Sequence, residues 1–220
     1  MDEELESAKE RSWRETAAID AAHARGELDD AGWHEAMGAL VVPAYLAAET
    51  AEGGSGSSRD VAGWERARSL VADAVEPGQA FLDIGCANGH LMESMAGWAS
   101  VEPFGLEISP ELAELARRRL PQWAGRIWVG NALDWEAPRA FDVARTTLDY
   151  VPAPRRRQLL EHLLSFADRV VVGVFNEELD LRTQEEEVAD WGYAIAGRSE
   201  RRHPHPRLAY KAFWVDARSR

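Results

Sequence analysis

The chain has 220 residues, 45% of them hydrophobic, and a formal net charge of −13; that length buries one sizeable core and leaves too little for two full domains. The acidic balance works against a nucleic-acid partner, whose phosphates need a basic surface that releases counterions. Cys86 is the single cysteine, so no internal disulfide forms; with the acidic start MDEELESAKER and no apolar run near the roughly 18 residues of a membrane helix, a cytoplasmic protein without a membrane partner is expected.

In chain order, residues 2 to 48 read as two helices, the second capped by Asp30, carrying Trp33, Met37, Leu40 and Val41 at helical spacing and kinked at Pro43. The run GGSGSS at 53 to 58 has flexible-linker chemistry. Residues 1 to 59 are therefore expected to be a helical extension and linker, and 60 to 220 the main domain. Asp60 caps a helix with Val61, Trp64, Val71 and Val75 on one face, ended by Pro77 and Gly78. Strand and helix then alternate: AFLDI, HLMESMAGW, PFGLEI, and a helix opened by Ser109 and Pro110. RIWV at 126 to 129, FDVART at 141 to 146, the helix PRRRQLLEHLLSFA from 154 and the strand RVVVGVF at 169 to 175 continue the series. Repeated β-α-β order implies a parallel sheet with helices on both faces. After a helix near 182 to 190, GYAIAGRS at 192 to 199 and LAYKAFWVD at 208 to 216 follow with no helix between them, the pattern of an antiparallel pair.

In such a sheet, ligands sit beyond the carboxyl ends of the strands. The first strand ends in Asp83-Ile84-Gly85-Cys86-Ala87-Asn88-Gly89, where small residues let backbone approach a ligand. By itself this turn is ambiguous between a structural turn and several nucleotide sites. A dinucleotide fingerprint GxGxxG fails at Ala87 and His90, no GK(S/T) makes a P-loop, and the spacing fits (D/E)xGxGxG. Glu107 closes the next strand, where a carboxylate accepts both hydroxyls of a ribose; that device identifies a ribose without choosing the cofactor.

FLDIGCANG, then FGLEIS, then WVGNALDW resembles the class I S-adenosylmethionine-dependent methyltransferases, over about residues 60 to 216. The resemblance implies a seven-stranded, mostly parallel, doubly wound sheet with an antiparallel last strand between strands five and six, which accounts for the tail pair. It also implies S-adenosylmethionine as cofactor and S-adenosylhomocysteine as product. In the family's pattern the loop Gly85, Cys86, Ala87, Gly89 passes under the methionine part, the acid at Asp83 helps hold its amino group, and the acid at Glu107, with Ile108 beside it, binds ribose. Asn131 meets the adenine, with Ala132 and Leu133 adding backbone and apolar contact. The chain departs from the pattern in having Asn131 for the usual Asp and Ala87 for the middle glycine; an amide carbonyl still accepts from an adenine amino group.

Methyl transfer from a sulfonium is an in-line displacement, so holding and drying the reactants is the main demand, and a base is needed only if the acceptor must lose a proton. Thr146 and Thr147, at the fourth strand end, are candidates for the cofactor pocket. Asp149 and Tyr150 are candidates for catalysis or, equally, for capping the following turn. Asn176, Glu177 and Glu178 after the fifth strand read better as the start of a helix than as acceptor contacts. His34 is a candidate if the helical layer closes over the pocket, although a solvated histidine is commoner. Tyr45 is expected to face the cofactor from a lid spanning residues 30 to 60, with a dimer contact or fixed cap as the competing reading. His203 and His205 lack metal-site partners, and no metal is expected.

The expected function is methylation of oxygen or nitrogen on a small-molecule substrate by a monomer or homodimer. A cofactor-binding protein without catalysis is the second class. RNA methylation, which calls for a basic groove near Thr147 and Tyr150, is disfavoured by the charge.

Overall fold

The computed structural model describes residues 3–56, 61–178, 182–204 and 208–217; the side chains of residues 3–13 and 176–178 lie outside that description. Helices α1 (Glu3–Ala24) and α2 (Asp30–Leu46) form the N-terminal layer. Asp29, not Asp30, caps α2, its carboxylate accepting the Gly32 N–H at 2.8 Å. Asp30 is instead taken by His23 and by Arg155, so its charge ties the layer to the rest of the chain. The helix runs through Pro43 to Leu46.

Next come α3 (Val61–Arg68), a 3₁₀ segment at Ser69–Ala74, β1 (Ala80–Ile84), α4 (His90–Ala99), β2 (Glu102–Glu107) and α5 (Pro110–Arg119). The expected cap at Asp60 lies outside the described residues. Trp64 and Val71 are buried as their spacing predicts, but Val61 is exposed, because the helix gives way to the 3₁₀ turn and rotates the apolar stripe. The chain continues with β3 (Ile127–Val129), β4 (Phe141–Thr146), α6 (Arg156–Leu163), β5 (Ala167–Glu178), α7 (Gln184–Asp190), β6 (Gly197–Arg202) and β7 (Leu208–Asp216).

The seven strands lie in the order β3-β2-β1-β4-β5-β7-β6, with β7 antiparallel to both neighbours and the others parallel. Side-chain alternation assigns the faces: Leu82 and Ile84 pack with α6 and α7, whereas Phe81 packs with Leu70, Val71, Leu91 and Met95. Both faces are covered, so β1 is buried along its whole length. The chain order reverses between β1 and β4, which opens the crevice at their carboxyl ends.

β6 starts at Gly197, later than the apolar run from Gly192 suggests. Tyr193 drops into the core from the connection, and the strand itself, GRSERR, is a polar edge of the kind that resists further pairing. Gly197 lies against Trp214, where a Cβ would stand 2.3 Å from the ring. Among the described residues no helix is long and apolar enough to cross a membrane, and no three His, Cys, Asp or Glu side chains gather as a metal would need.

The β1 and β2 ends are packed closely enough to test. At Gly105 a Cβ would meet Met92 Sδ at 2.6 Å and Cys86 Sγ at 2.7 Å, both buried. Gly105→Ala is expected to cost about 1–3 kcal/mol of stability by overpacking, read as a lower denaturant midpoint at unchanged slope; an unaltered midpoint contradicts it.

Candidate functional site

Parallel pairing brings the charged strand ends together. Asp83 of β1 stands in register with Gly105 of β2 and Arg145 of β4. Leaving β1, the chain turns so that Gly85 and Cys86 both donate to the Leu106 carbonyl, at 2.8 and 3.1 Å. Gly85 adopts φ +70°, and a Cβ there would sit 2.6 Å from the Tyr150 ring. Gly89, at φ +77°, caps α4 and leaves no room for a Cβ beside Leu120. Ala87 holds the left-handed region at φ +49° with its methyl.

The Ala87 N–H donates to Glu107 Oε2 at 2.8 Å and the Ser109 N–H to Oε1 at 3.0 Å. Both oxygens of Glu107 are thus held by backbone, with lone pairs left for hydroxyls of a ligand. Burial raises its carboxyl above the usual range, and the N–H donors of Ser109 and Ala87 pull it back. Ile108, next along, is exposed, an apolar platform at the rim. Asn131 uses its side-chain carbonyl on the Leu133 N–H at 3.0 Å, so that oxygen already has one partner inside its own turn. Ala132 and Leu133 pack on the core beside it.

A cavity of about 310 Å³, counted out to open solvent, lies beside the loop and is lined by Tyr45, Ser55, Gly56, Arg68, Asp83, Gly85, Ala87, Leu91, Arg145 and Tyr150. Three of its groups carry charge. Arg145 Nη1 donates to Asp83 Oδ1 and to the Tyr150 hydroxyl, each at 3.2 Å. Arg68 makes no hydrogen bond or ion pair among the described residues and lies over the Phe175 ring, 3.4 Å from its centroid. Burial first, then Arg145, pushes its guanidinium down to about 10. Two cations and one carboxylate leave the cavity with a positive excess.

The N-terminal segment packs on the loop and lines one side of this cavity through Tyr45, Ser55 and Gly56. Asn88 Nδ2 donates to the Ala51 carbonyl at 2.8 Å, His90 Nε2 lies 3.5 Å from Glu52, and Trp64 Nε1 donates to the Ser55 carbonyl at 2.7 Å. Gly54 is buried against Asn88 and the Tyr45 carbonyl. The described part of the glycine-serine run is thus packed on the loop rather than a free linker, because its missing side chains allow that approach; residues 57 and 58 lie outside the described residues.

Of the candidate residues, Tyr45, Asp83, Gly85, Ala87 and Tyr150 meet at the cavity, and Gly89, Glu107, Ile108, Asn131, Ala132 and Leu133 lie along the strand ends beside it. Others sit elsewhere. The Cys86 thiol is buried in the α4–α5 core and pushed well up by that burial. Thr146 is fully buried, its hydroxyl on the Thr147 carbonyl, and Thr147 caps the short turn at Leu148–Tyr150. Asp149 points out to Arg156 at 2.5 Å and Gln184 at 3.0 Å, the turn-holding role. His34 is off the cavity, its Nδ1 2.7 Å from the Asp30 carbonyl. His203, in the connection that follows β6, is buried beside the Tyr210 ring. The side chains of Asn176, Glu177 and Glu178 and all of His205 lie outside the described residues; the backbone at 176–178 extends β5 instead of starting a helix. Arg68 and Arg145 escaped the sequence reading: arginine is abundant in this chain, and only pairing and packing turn these two inward.

Residues 81–168 match a family model described as a methyltransferase domain, and none of the curated proteins matches the chain. Among solved structures, the N-methyltransferase NodS from Bradyrhizobium japonicum, in complex with S-adenosylhomocysteine, is similar over 81% of this chain and 96% of that one, at 13% identity and a TM-score of 0.58. Magnesium protoporphyrin IX methyltransferase from Synechocystis, with bound S-adenosylmethionine, is similar over 76% and 88%, at 19% identity and a TM-score of 0.55. A Streptococcus pneumoniae protein to which a tRNA methyltransferase activity has been ascribed covers 67% of this chain and 68% of its own, at 16% identity and a TM-score of 0.52. At such identities the likeness to these structures is one of fold.

Asp83 gives the site a measurable pH signature. Burial pushes its carboxyl up to about 6, against the opposing pull of Arg145 and then Arg68. A carboxyl raised in the folded state contributes stability that is present below its unfolded range and lost as pH rises through the folded value. The melting temperature of the native chain relative to Asp83→Asn is therefore expected to fall between about pH 4 and about pH 6; a difference that stays flat or rises over that window refutes it.

Proposed function

We propose that this chain is a class I methyltransferase, a reading supported by the match of residues 81–168 to a methyltransferase domain and by its sheet order, and that it transfers a methyl group from S-adenosylmethionine to oxygen or nitrogen of a small-molecule substrate. The observation that carries the reading is the pair of anchors at the β1 and β2 ends: Glu107, with both oxygens fixed by backbone N–H groups, and the cationic cavity beside it. The residues present fit the cofactor. Glu107 would accept its two ribose hydroxyls, Ile108 would lie against the adenine, and Asn131, Ala132 and Leu133 would border that ring. At the methionine end, Arg68, without a hydrogen-bond or ion-pair partner among the described residues, would take the carboxylate, while Asp83 would take the ammonium.

The cofactor supplies a methyl group on a sulfonium. The chain's own part is to hold and to dry. Gly85 and Ala87 keep the loop close, Tyr150 walls the cavity at Gly85, and Tyr45 with residues 49–56 covers it, excluding water from the charges inside. A small acceptor suits a chain of net charge −13, which disfavours a nucleic acid.

Calorimetry with S-adenosylmethionine, S-adenosylhomocysteine and NAD tests the cofactor. Binding of the first two is expected, and Glu107→Gln should weaken both by about 10- to 100-fold through loss of charge-assisted bonds; NAD binding with no response to the other two overturns the assignment. For the lid, Tyr45→Ala is expected to weaken S-adenosylhomocysteine by about tenfold. Unchanged affinity there sinks the idea that Tyr45 faces the cofactor.

A further inference from the structure

The cavity holds one guanidinium more than the cofactor uses. With Arg68 on the methionine carboxylate and Asp83 on the ammonium, each charge at that end of the cofactor except the sulfonium has one partner. Arg145 would then share Asp83 with a second cation, the cofactor's ammonium, while the sulfonium adds a further positive charge. Two positive groups are left in a desolvated site without an anion of their own, an expensive state unless another ligand brings one.

The geometry of Arg145 is that of a group with an edge to spare. Its side chain is buried beside Asp83, and both of its hydrogen bonds leave from Nη1. Nε is buried with no partner, and Nη2 makes no hydrogen bond among the described residues. Nε and Nη2 are two adjacent donors of the planar fork, the arrangement that matches the two oxygens of a carboxylate. Gly173 on β5 lies beside Nη2: a Cβ there would stand 3.3 Å from Nη2 and 2.7 Å from Phe175 Cζ.

The same cavity offers no free base. Among its described side chains the one carboxylate is Asp83, which is engaged by Arg145, and it contains no histidine. Asp149 is held outside by Arg156 and Gln184, and His34 stands off the cavity. A hydroxyl or ammonium acceptor would have to lose a proton with nothing placed to receive it, whereas a carboxylate has none to lose.

We infer that the methyl acceptor is a carboxylic acid, held as its anion by Arg145, and that the product is its methyl ester; this rests on the methyltransferase reading above. In the step, a lone pair of the carboxylate oxygen forms the oxygen–carbon bond as the carbon–sulfur bond breaks. The electron pair of that bond stays on sulfur, which becomes a neutral thioether. No proton moves. Anion and sulfonium neutralise each other, so the reaction removes charge from a site that solvates it poorly.

The test uses the full chain saturated with S-adenosylhomocysteine. Benzoate, phenylacetate and octanoate are titrated against it by calorimetry, beside benzylamine and benzyl alcohol. The acids are then incubated with S-adenosylmethionine, and any methylated product is treated with mild base, which releases methanol only from an ester. At least one acid is expected to bind in preference to the amine and the alcohol and to give a base-labile product. Arg145→Lys, kept saturated with S-adenosylhomocysteine, should weaken that acid by about 10- to 100-fold. Gly173→Ala, which crowds Nη2 from outside the charged cluster, should weaken the acid in the same direction and serves if the Arg145 variant does not fold. No acid binding, preference for the amine or alcohol, a base-stable product, or acid affinity untouched by both variants overturns the inference with the methyltransferase reading intact. Failure of the native chain to bind S-adenosylhomocysteine at all defeats that reading, and the inference with it.

Discussion

Asp83 and Arg145 stand opposite each other across the parallel pairing of β1 and β4, and the shape of the cavity depends on that buried contact. A buried ion pair contributes little net stability, because desolvation offsets most of the attraction. Its value here is geometric. Arg145 also holds the Tyr150 hydroxyl, Tyr150 lies on Gly85, and Gly85 begins the loop whose Ala87 N–H orients Glu107. One contact at the sheet centre thereby links the Asp83 end and the Glu107 end of the site.

Burial opposes this arrangement at every ionisable group. It raises Asp83 and Glu107 and lowers Arg68, each toward its uncharged form. Backbone donors offset it at Glu107 and Arg145 offsets it at Asp83, but no described carboxylate pairs with Arg68. A site held partly uncompensated is one that gains when an anionic ligand arrives, which is the physical sense of a cavity with two guanidiniums and one carboxylate.

The N-terminal layer turns this crevice into a cavity. Its covering segment is held by carbonyls of Ala51 and Ser55, contacts that any residue's backbone provides, and by close approach at Gly54. Composition alone reads GGSGS as a flexible linker, since the feature that makes glycine mobile in an unfolded segment also lets it lie flat on a neighbour. In the folded chain the second property prevails.

The sequence alone determined the parallel strands, the tail pair and the loop, while the place of the last strand between the fifth and sixth came from the family resemblance. Alternation of apolar runs with amphipathic helices, the tail pair without an intervening helix, and the order Asp83, Gly85, Gly89, Glu107 are local patterns, and local patterns survive without knowledge of what packs on what. Only the tertiary structure decided the sidedness of single residues: Asp149 outward to Arg156, Thr146 wholly inside, Cys86 beneath the loop, and Arg68 and Arg145 inward among many arginines that face solvent. Strand ends and turns carry no periodicity from which a direction could be read, and a charged side chain faces inward only when a partner from elsewhere in the chain meets it there. For Arg145 that partner, Asp83, lies 62 residues away in sequence and is its neighbour only across the sheet.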